Sequence, residues 1–188
     1  QSPWETLFLY YYFLPICAIL KRELLWIPFF GWALALLKPI AIDRSKGRTA
    51  RNNLLVEGPR RLEMGLSVLV FPEGERGGGK VFRDRYKIMG FGQGFLRLAL
   101  ETNTPIVPFG FIGGEEMCPS FSRMKPIARL LGVPYAPLTP TILPLPLPAK
   151  VHILFGEPMR FEGTGNEEDD GVLPMVRRVE LEVKRLID

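Results

Sequence analysis

The run Ser67-Val68-Leu69-Val70-Phe71 has no polar face, and Pro72 ends it at once. A strand of this kind can settle only where both faces of a sheet are covered. Similar short apolar runs recur at 39–44, 105–112 and 151–155, with helical patterns over 28–38, 49–64, 94–102 and 173–187 between and after them. This alternation predicts an α/β fold, a mixed β-sheet flanked by helices, and 188 residues suffice for one domain over 1–188. Thr49 is placed as an N-cap, with Leu54, Leu55 and Leu62 facing inward, and Gly58-Pro59 is expected to kink or split that helix. The polar stretch 162–171 reads as a surface loop. Residues 172–188 read as a closing helix, with Val176, Val179, Val183 and Leu186 on one side.

Charge is divided unevenly along the chain. The net charge is +4, yet eight acids against four bases from Phe161 onward leave that tail at −4 and residues 1–160 at +8. A basic, apolar body suits an anionic partner such as phosphate or an acidic headgroup. Lys and Arg are scattered among apolar strands with no reading helix, which argues against nucleic acid. Cys17 and Cys118 lie far apart, and His152 is the single histidine, so neither a zinc ribbon nor a His-rich metal site is available. His152 sits in an alternating strand and reads as structural or at a sheet edge.

The two apolar blocks 7–20 and 24–37, separated by Lys21-Arg22-Glu23, are each shorter than the ~20 residues needed to span a bilayer. They read as core, with Trp26, Phe29, Phe30 and Trp32 suited to a membrane interface or an acyl groove. Prolines 134, 137, 140, 144, 146 and 148 mark an extended segment packed on the body. Glu115-Glu116 reads as solvated surface charge. Arg83, Arg85, Lys87 and Arg97 read as a headgroup-facing patch or a solvated face.

The block Phe71-Pro72-Glu73-Gly74-Glu75-Arg76 is expected to present a carboxylate and a guanidinium to solvent on a proline-fixed turn after a buried strand. Arg offers a planar fork to phosphate, and Glu can hold a hydroxyl. The block resembles the F-P-E-G-[ST]-R motif of the PlsC-type glycerolipid acyltransferases. Further blocks agree in order. Gln1-Ser2-Pro3-Trp4-Glu5 is similar to the residues after the histidine in the family's H-x-x-x-x-[DE] motif, and Lys21-Arg22-Glu23-Leu24 with Pro28–Trp32 is similar to the family's next strand and helix. Ile42-Asp43-Arg44 is similar to its phosphate-contacting motif, and Thr104-Pro105-Ile106-Val107-Pro108 to its proline-containing acyl-site strand. The match departs from the family at Glu5 (usually Asp), at Glu75 (usually Ser or Thr), and at the histidine, which would lie just before Gln1 in an N-terminally incomplete domain.

The resemblance implies acyl transfer from acyl-CoA or acyl-carrier protein to the hydroxyl of a lysophospholipid or lysophosphatidic acid. The hydroxyl attacks the thioester directly, a histidine removes its proton, and no metal or tightly held cofactor is implied. Glu5 would orient that histidine. Lys21, Arg44, Glu73, Gly74 and Arg76 would bind the acceptor and its phosphate, and Pro105, Val107 and Pro108 would line the acyl site. The expected partners are the glycerolipid acceptor, the acyl donor and a membrane surface, with the protein on the cytoplasmic face of a bacterial inner membrane. A neutral glyceride or other alcohol is the alternative acceptor, and a non-catalytic lipid- or membrane-binding module the alternative function.

Overall fold

The computed structural model describes residues 3–13, 15–26, 30–43, 47–73, 87–88, 90–117 and 148–188; of 3–5, 7, 30, 47–52, 115 and 117 it describes the backbone alone. Helix α1 (Pro3–Tyr12) leads into strand β1 (Ile16–Lys21), a 3-10 turn (Arg22–Trp26), helix α2 (Phe30–Leu36) and strand β2 (Ile40–Ile42). Helix α3 (Gly47–Glu63), strand β3 (Ser67–Leu69), helix α4 (Gly94–Glu101) and strand β4 (Phe109–Ile112) follow. Helix α5 (Gly114–Met117), strand β5 (His152–Phe155) and helix α6 (Asp169–Ile187) complete the order.

Strands β2, β1 and β3 form a parallel sheet with β1 in the middle, and β4 pairs with β5 antiparallel. The expected α/β architecture is therefore present, with the sheet in two hydrogen-bonded parts. Alternation along β1 explains why a wholly apolar strand belongs there. Cys17 and Ile19 face one side, where Ile40, Leu54 and Leu98 pack on them. Ala18 and Leu20 face the other, against Tyr10 and Leu34. Each fully buried aliphatic side chain contributes about 1.5–3 kcal/mol. β2 begins opposite Ile19, and the N–H of Ala18, one residue earlier, donates instead to the Tyr10 hydroxyl at 2.8 Å. Burial pushes the pKa values of that hydroxyl and of the Cys17 thiol up.

Several local expectations are corrected. α3 starts at Gly47, so Thr49 lies inside it rather than capping it. Pro59 does not split α3, which runs on to Glu63. One backbone bond is lost there, but Gly58 just before it is buried against Leu98 of α4, and that packing holds the helix together. β3 ends at Leu69, two residues short of Phe71. The closing helix begins at Asp169, whose carboxylate with that of Asp170 favours a helix N-terminus. The stretch before it is not wholly superficial, since Gly165 is buried. His152 is exposed at the start of β5, opposite Ile112, as a sheet-edge histidine should be.

Arg97 is the largest departure. Far from a solvated face, it is 3% exposed, because α4 is buried all round: Leu98 packs on the sheet while Leu96 and Leu100 pack on Val172 and Val176 of α6. Its guanidinium donates to the carbonyls of Gly165 (3.0 Å) and Glu167 (2.7 Å), to Gln93 Oε1 (3.1 Å) and to Asp169 Oδ1 (2.6 Å). The loop carries order of its own: the Thr164 N–H donates to the Glu167 carboxylate, and hydrogen bonds from the backbone hold that carboxyl below its usual range. Arg83 and Arg85 of the expected patch lie outside the described residues, as does the proline-rich stretch up to residue 147.

Candidate functional site

The register of the parallel sheet gathers three of the sequence blocks at one edge. Lys21, the last residue of β1, pairs with Ile42, so Asp43 leaves β2 at the same level. Leu69 pairs with Ala18, three residues before Lys21, so Val70–Glu73 carry the chain of β3 to that edge too. Ligands in open α/β sheets bind at the carboxyl ends of the strands; Lys21 and Asp43 stand at two of these ends, and Glu73 follows the third, four residues beyond β3. Arg44, Gly74 and Arg76 lie outside the described residues, and Glu5 is described only as backbone in the first turn of α1.

Contrary to the expectation of a carboxylate presented to solvent, Glu73 is 8% exposed, and among the described residues it and Arg97 are the two buried charged side chains. Arg97 is a strut. Glu73 instead lines a cavity of about 910 Å³, within the range of small-ligand clefts. Among the described residues of the lining, Glu73 carries the one formal charge.

Among the described residues, β3 is an edge strand and is not paired with the β4–β5 ladder. β3 bonds to β1 on one side, and its other edge faces the segment 104–111. In that segment Ile106 spends both backbone groups on Met159 (2.8 Å each), and the Pro108 carbonyl accepts from the Gly156 N–H at 2.9 Å. These groups are thereby occupied, and Pro105 has no N–H to offer to a ladder. Side chains therefore form the walls. Pro105, Val107 and Pro108 all stand in them, as do Phe155 of β5 and Val179, Val183 and Ile187 of α6.

Four rings mark a path through the cavity. Phe71 lies 6.3 Å from Phe109, Phe109 lies 6.2 Å from Phe155, and Phe155 lies 5.1 Å from Phe13. The path leads from beside buried Glu73 to Phe13 and Phe155, which are 43% and 47% exposed. The lining includes the whole stretch from Gly65 through β3 to Glu73. Lys21 is absent from the lining and stands at the neighbouring strand end.

Sequence reasoning missed Arg97 and the contribution of Phe155, Val179, Val183 and Ile187. For α6 a signal was present: Val179, Val183 and Ile187 recur at helical spacing on one face, which reads equally as plain core.

Residues 1–112 match the family model described as Acyltransferase. A 1-acyl-sn-glycerol-3-phosphate acyltransferase of Pseudomonas aeruginosa is 46% identical over 116 residues, which is 61% of this chain and 42% of that protein. One from Cocos nucifera is 33% identical over 95 residues, 50% of this chain and 29% of that protein. The crystal structure of PlsC, the 1-acyl-sn-glycerophosphate (LPA) acyltransferase of Thermotoga maritima, aligns with a TM-score of 0.56 at 23% identity. That alignment covers 90% of this chain and 54% of PlsC, and the likeness is one of fold. The chain spans less than half the length of these curated relatives.

Proposed function

Because this chain belongs to the Acyltransferase family, we propose that it moves a fatty acyl group from acyl-CoA or acyl-carrier protein to the hydroxyl of a lysophospholipid, lysophosphatidic acid foremost. The observation that carries the reading is an apolar cavity of about 910 Å³ with one buried carboxylate, Glu73, at the carboxyl edge of the parallel sheet. The acyl tail lies among the rings and aliphatic side chains. Glu73 accepts a hydrogen bond from the acceptor, which sets the attacking hydroxyl. Lys21, with Arg44 and Arg76, holds the phosphate.

The hydroxyl oxygen attacks the thioester carbonyl while its proton passes to the histidine that the family pattern sets five residues before Glu5. The tetrahedral intermediate collapses to an ester, and the thiolate leaves and takes up a proton. Glu5 holds the tautomer of that histidine, and the reading needs no metal or resident cofactor.

A membrane-surface location on the cytoplasmic face fits the large exposed apolar side chains: Tyr11 (78%), Trp26 (81%), Trp32 (61%) and Leu36 (83%). Among the described residues no helix is long and apolar enough to cross a bilayer.

The test is thiol release from palmitoyl-CoA by the intact protein with and without lysophosphatidic acid. Release should depend on the acceptor, and Glu73→Gln or Arg76→Ala should lower kcat/KM by about a hundredfold or more. Lipid binding without thiol release would instead make the domain a lipid-holding module. An unchanged kcat/KM in Glu73→Gln would remove Glu73 from the site.

A further inference from the structure

The chain's path brings a second pair of strand ends to the edge that holds Glu73. Helix α3 leaves β2 at the carboxyl edge and runs back to the start of β3. Helix α4 lies parallel to it: a Cβ on Gly94 would meet Leu54, and one on Gly58 would meet Leu98. α4 therefore carries the chain away from the carboxyl edge. Residues 104–112 carry it back, passing Phe71 at Phe109 with ring centroids 6.3 Å apart. Ile112 ends β4 on that edge, and antiparallel pairing sets its partner His152 there too. Lys150, two residues earlier, abuts the turn at Gly113, where a Cβ would lie 2.0 Å from the Lys150 carbonyl oxygen.

Lys150 and His152 are both exposed, and among the described residues neither is held by an ion pair. Both lie outside 1–112, the stretch that matches the family model. We propose that this flank binds the donor's phosphate, the one that ends the pantetheine arm in acyl-CoA and acyl-carrier protein alike. The inference rests on the acyl-transfer reading above and adds to it the place of the second substrate.

Each substrate of that reaction carries a phosphate. The acceptor's is assigned to Lys21, Arg44 and Arg76, and Lys21 ends β1, on one side of Glu73. Lys150 and His152 belong to the β4–β5 part of the sheet, on the other side. The pantetheine arm keeps its phosphate well away from the thioester. A donor whose thioester lies near Glu73 therefore reaches across the ends of β4 and β5 and not into the acceptor's cluster. There the Lys150 ammonium supplies charge and the His152 ring an N–H. Within 109–117 and 148–155 Lys150 is the single Lys or Arg, and Glu115 and Glu116 of α5 are the acids, so anion binding on this flank depends on Lys150.

The experiment measures thiol release by the intact protein from palmitoyl-CoA, palmitoyl-acyl-carrier protein and palmitoyl-pantetheine, which has no phosphate. Wild type is compared with Lys150→Gln, Lys150→Arg and His152→Gln. In parallel, palmitoyl-CoA and palmitoyl-pantetheine compete with a fluorescent acyl-CoA for binding. Loss of one hydrogen bond to a charged group costs about tenfold or more. Lys150→Gln should raise the KM for both phosphate-bearing donors by that factor, with kcat and the acceptor KM within twofold, and leave palmitoyl-pantetheine unchanged. Lys150→Arg should keep most of the affinity, and His152→Gln should lose part of it. Both side chains are exposed, so their replacement leaves the core intact. Loss with only one phosphate-bearing donor places Lys150 against the nucleotide or the carrier's surface and overturns the shared site. Equal loss with palmitoyl-pantetheine, or values within twofold of wild type throughout, overturns it as well. Weaker binding of palmitoyl-CoA but not of palmitoyl-pantetheine, with no thiol release from any donor, sustains the flank and overturns the transfer reading.

Discussion

Replacing Arg97 by methionine removes a buried cation and keeps most of its aliphatic length. Two of its four acceptors are backbone carbonyls, at 3.0 and 2.7 Å, and Gly165 is itself buried. A hydrogen bond to a charged group is worth about 1.5–3 kcal/mol, and a buried acceptor left alone costs the desolvation it cannot recover. Taking the low figure for each carbonyl gives about 3 kcal/mol. Asp169 adds little: its side chain is 72% exposed, and an ion pair of that kind contributes about 0–1 kcal/mol. The expected loss is about 3–4 kcal/mol, roughly 10 °C in Tm for a chain of this length. Urea unfolding followed by far-UV circular dichroism measures it. Asp169→Asn should cost under about 1 kcal/mol. Arg97→Lys should fall between the two, because an ammonium cannot serve carbonyls, amide and carboxylate at once as the planar fork does. An Arg97→Met protein within 1 kcal/mol of wild type, or an Asp169→Asn protein as weak as Arg97→Met, would refute the strut.

Other outcomes rest on the same geometry. Tyr10→Phe strands the buried N–H of Ala18 and should cost about 1–3 kcal/mol in the same unfolding experiment. Burial raises the pKa of both the Tyr10 hydroxyl and the Cys17 thiol in the folded state. The unfolded chain then releases these protons first, so Tm should be level between about pH 6 and 8 and fall as pH rises through 9 to 11; a Tm that rises from pH 9 to 11 contradicts the burial. Cys17, 2% exposed, should resist alkylation in the native protein and react fully in denaturant, as intact mass would record. Gly113 has φ +96, and a Cβ there would lie 2.0 Å from the Lys150 carbonyl oxygen, so Gly113→Ala should lower Tm by several degrees.

The elements that could be read from the amino-acid order are those whose period is uninterrupted. The Leu96–Leu100 stretch of α4 and the valine face of α6 carry their burial in local pattern, whereas β1 lies in an apolar block that reads only as core. Arg97 does not. A single cation inside Phe-Leu-Arg-Leu-Ala-Leu looks like the wet side of a helix, and the carbonyls and carboxylate that satisfy it lie 68 to 72 residues away. The cavity was illegible for a similar reason: it arises where β3 and the 104–111 segment decline to pair, and no local pattern records a pairing that is not made. The site was legible in part. Glu73 and Lys21 stand at adjoining strand ends, and Pro105, Val107 and Pro108 stand in the cavity wall. Glu5, Arg44, Gly74 and Arg76 rest on their motifs, their side chains lying outside the described residues.

The helix that finishes the cavity leaves the ribosome after every other part of its wall. A nascent chain that has already released Phe155 shows solvent the open flank of β3, the 104–111 strand and its rings, with α6 not yet there to cover them. For those seconds the future cavity is a sticky groove, the kind of transient surface on which neighbouring chains coalesce. Arrival of Val172–Ile187 converts that liability into a vessel, so slow translation of these codons should cost soluble yield even though it alters no residue.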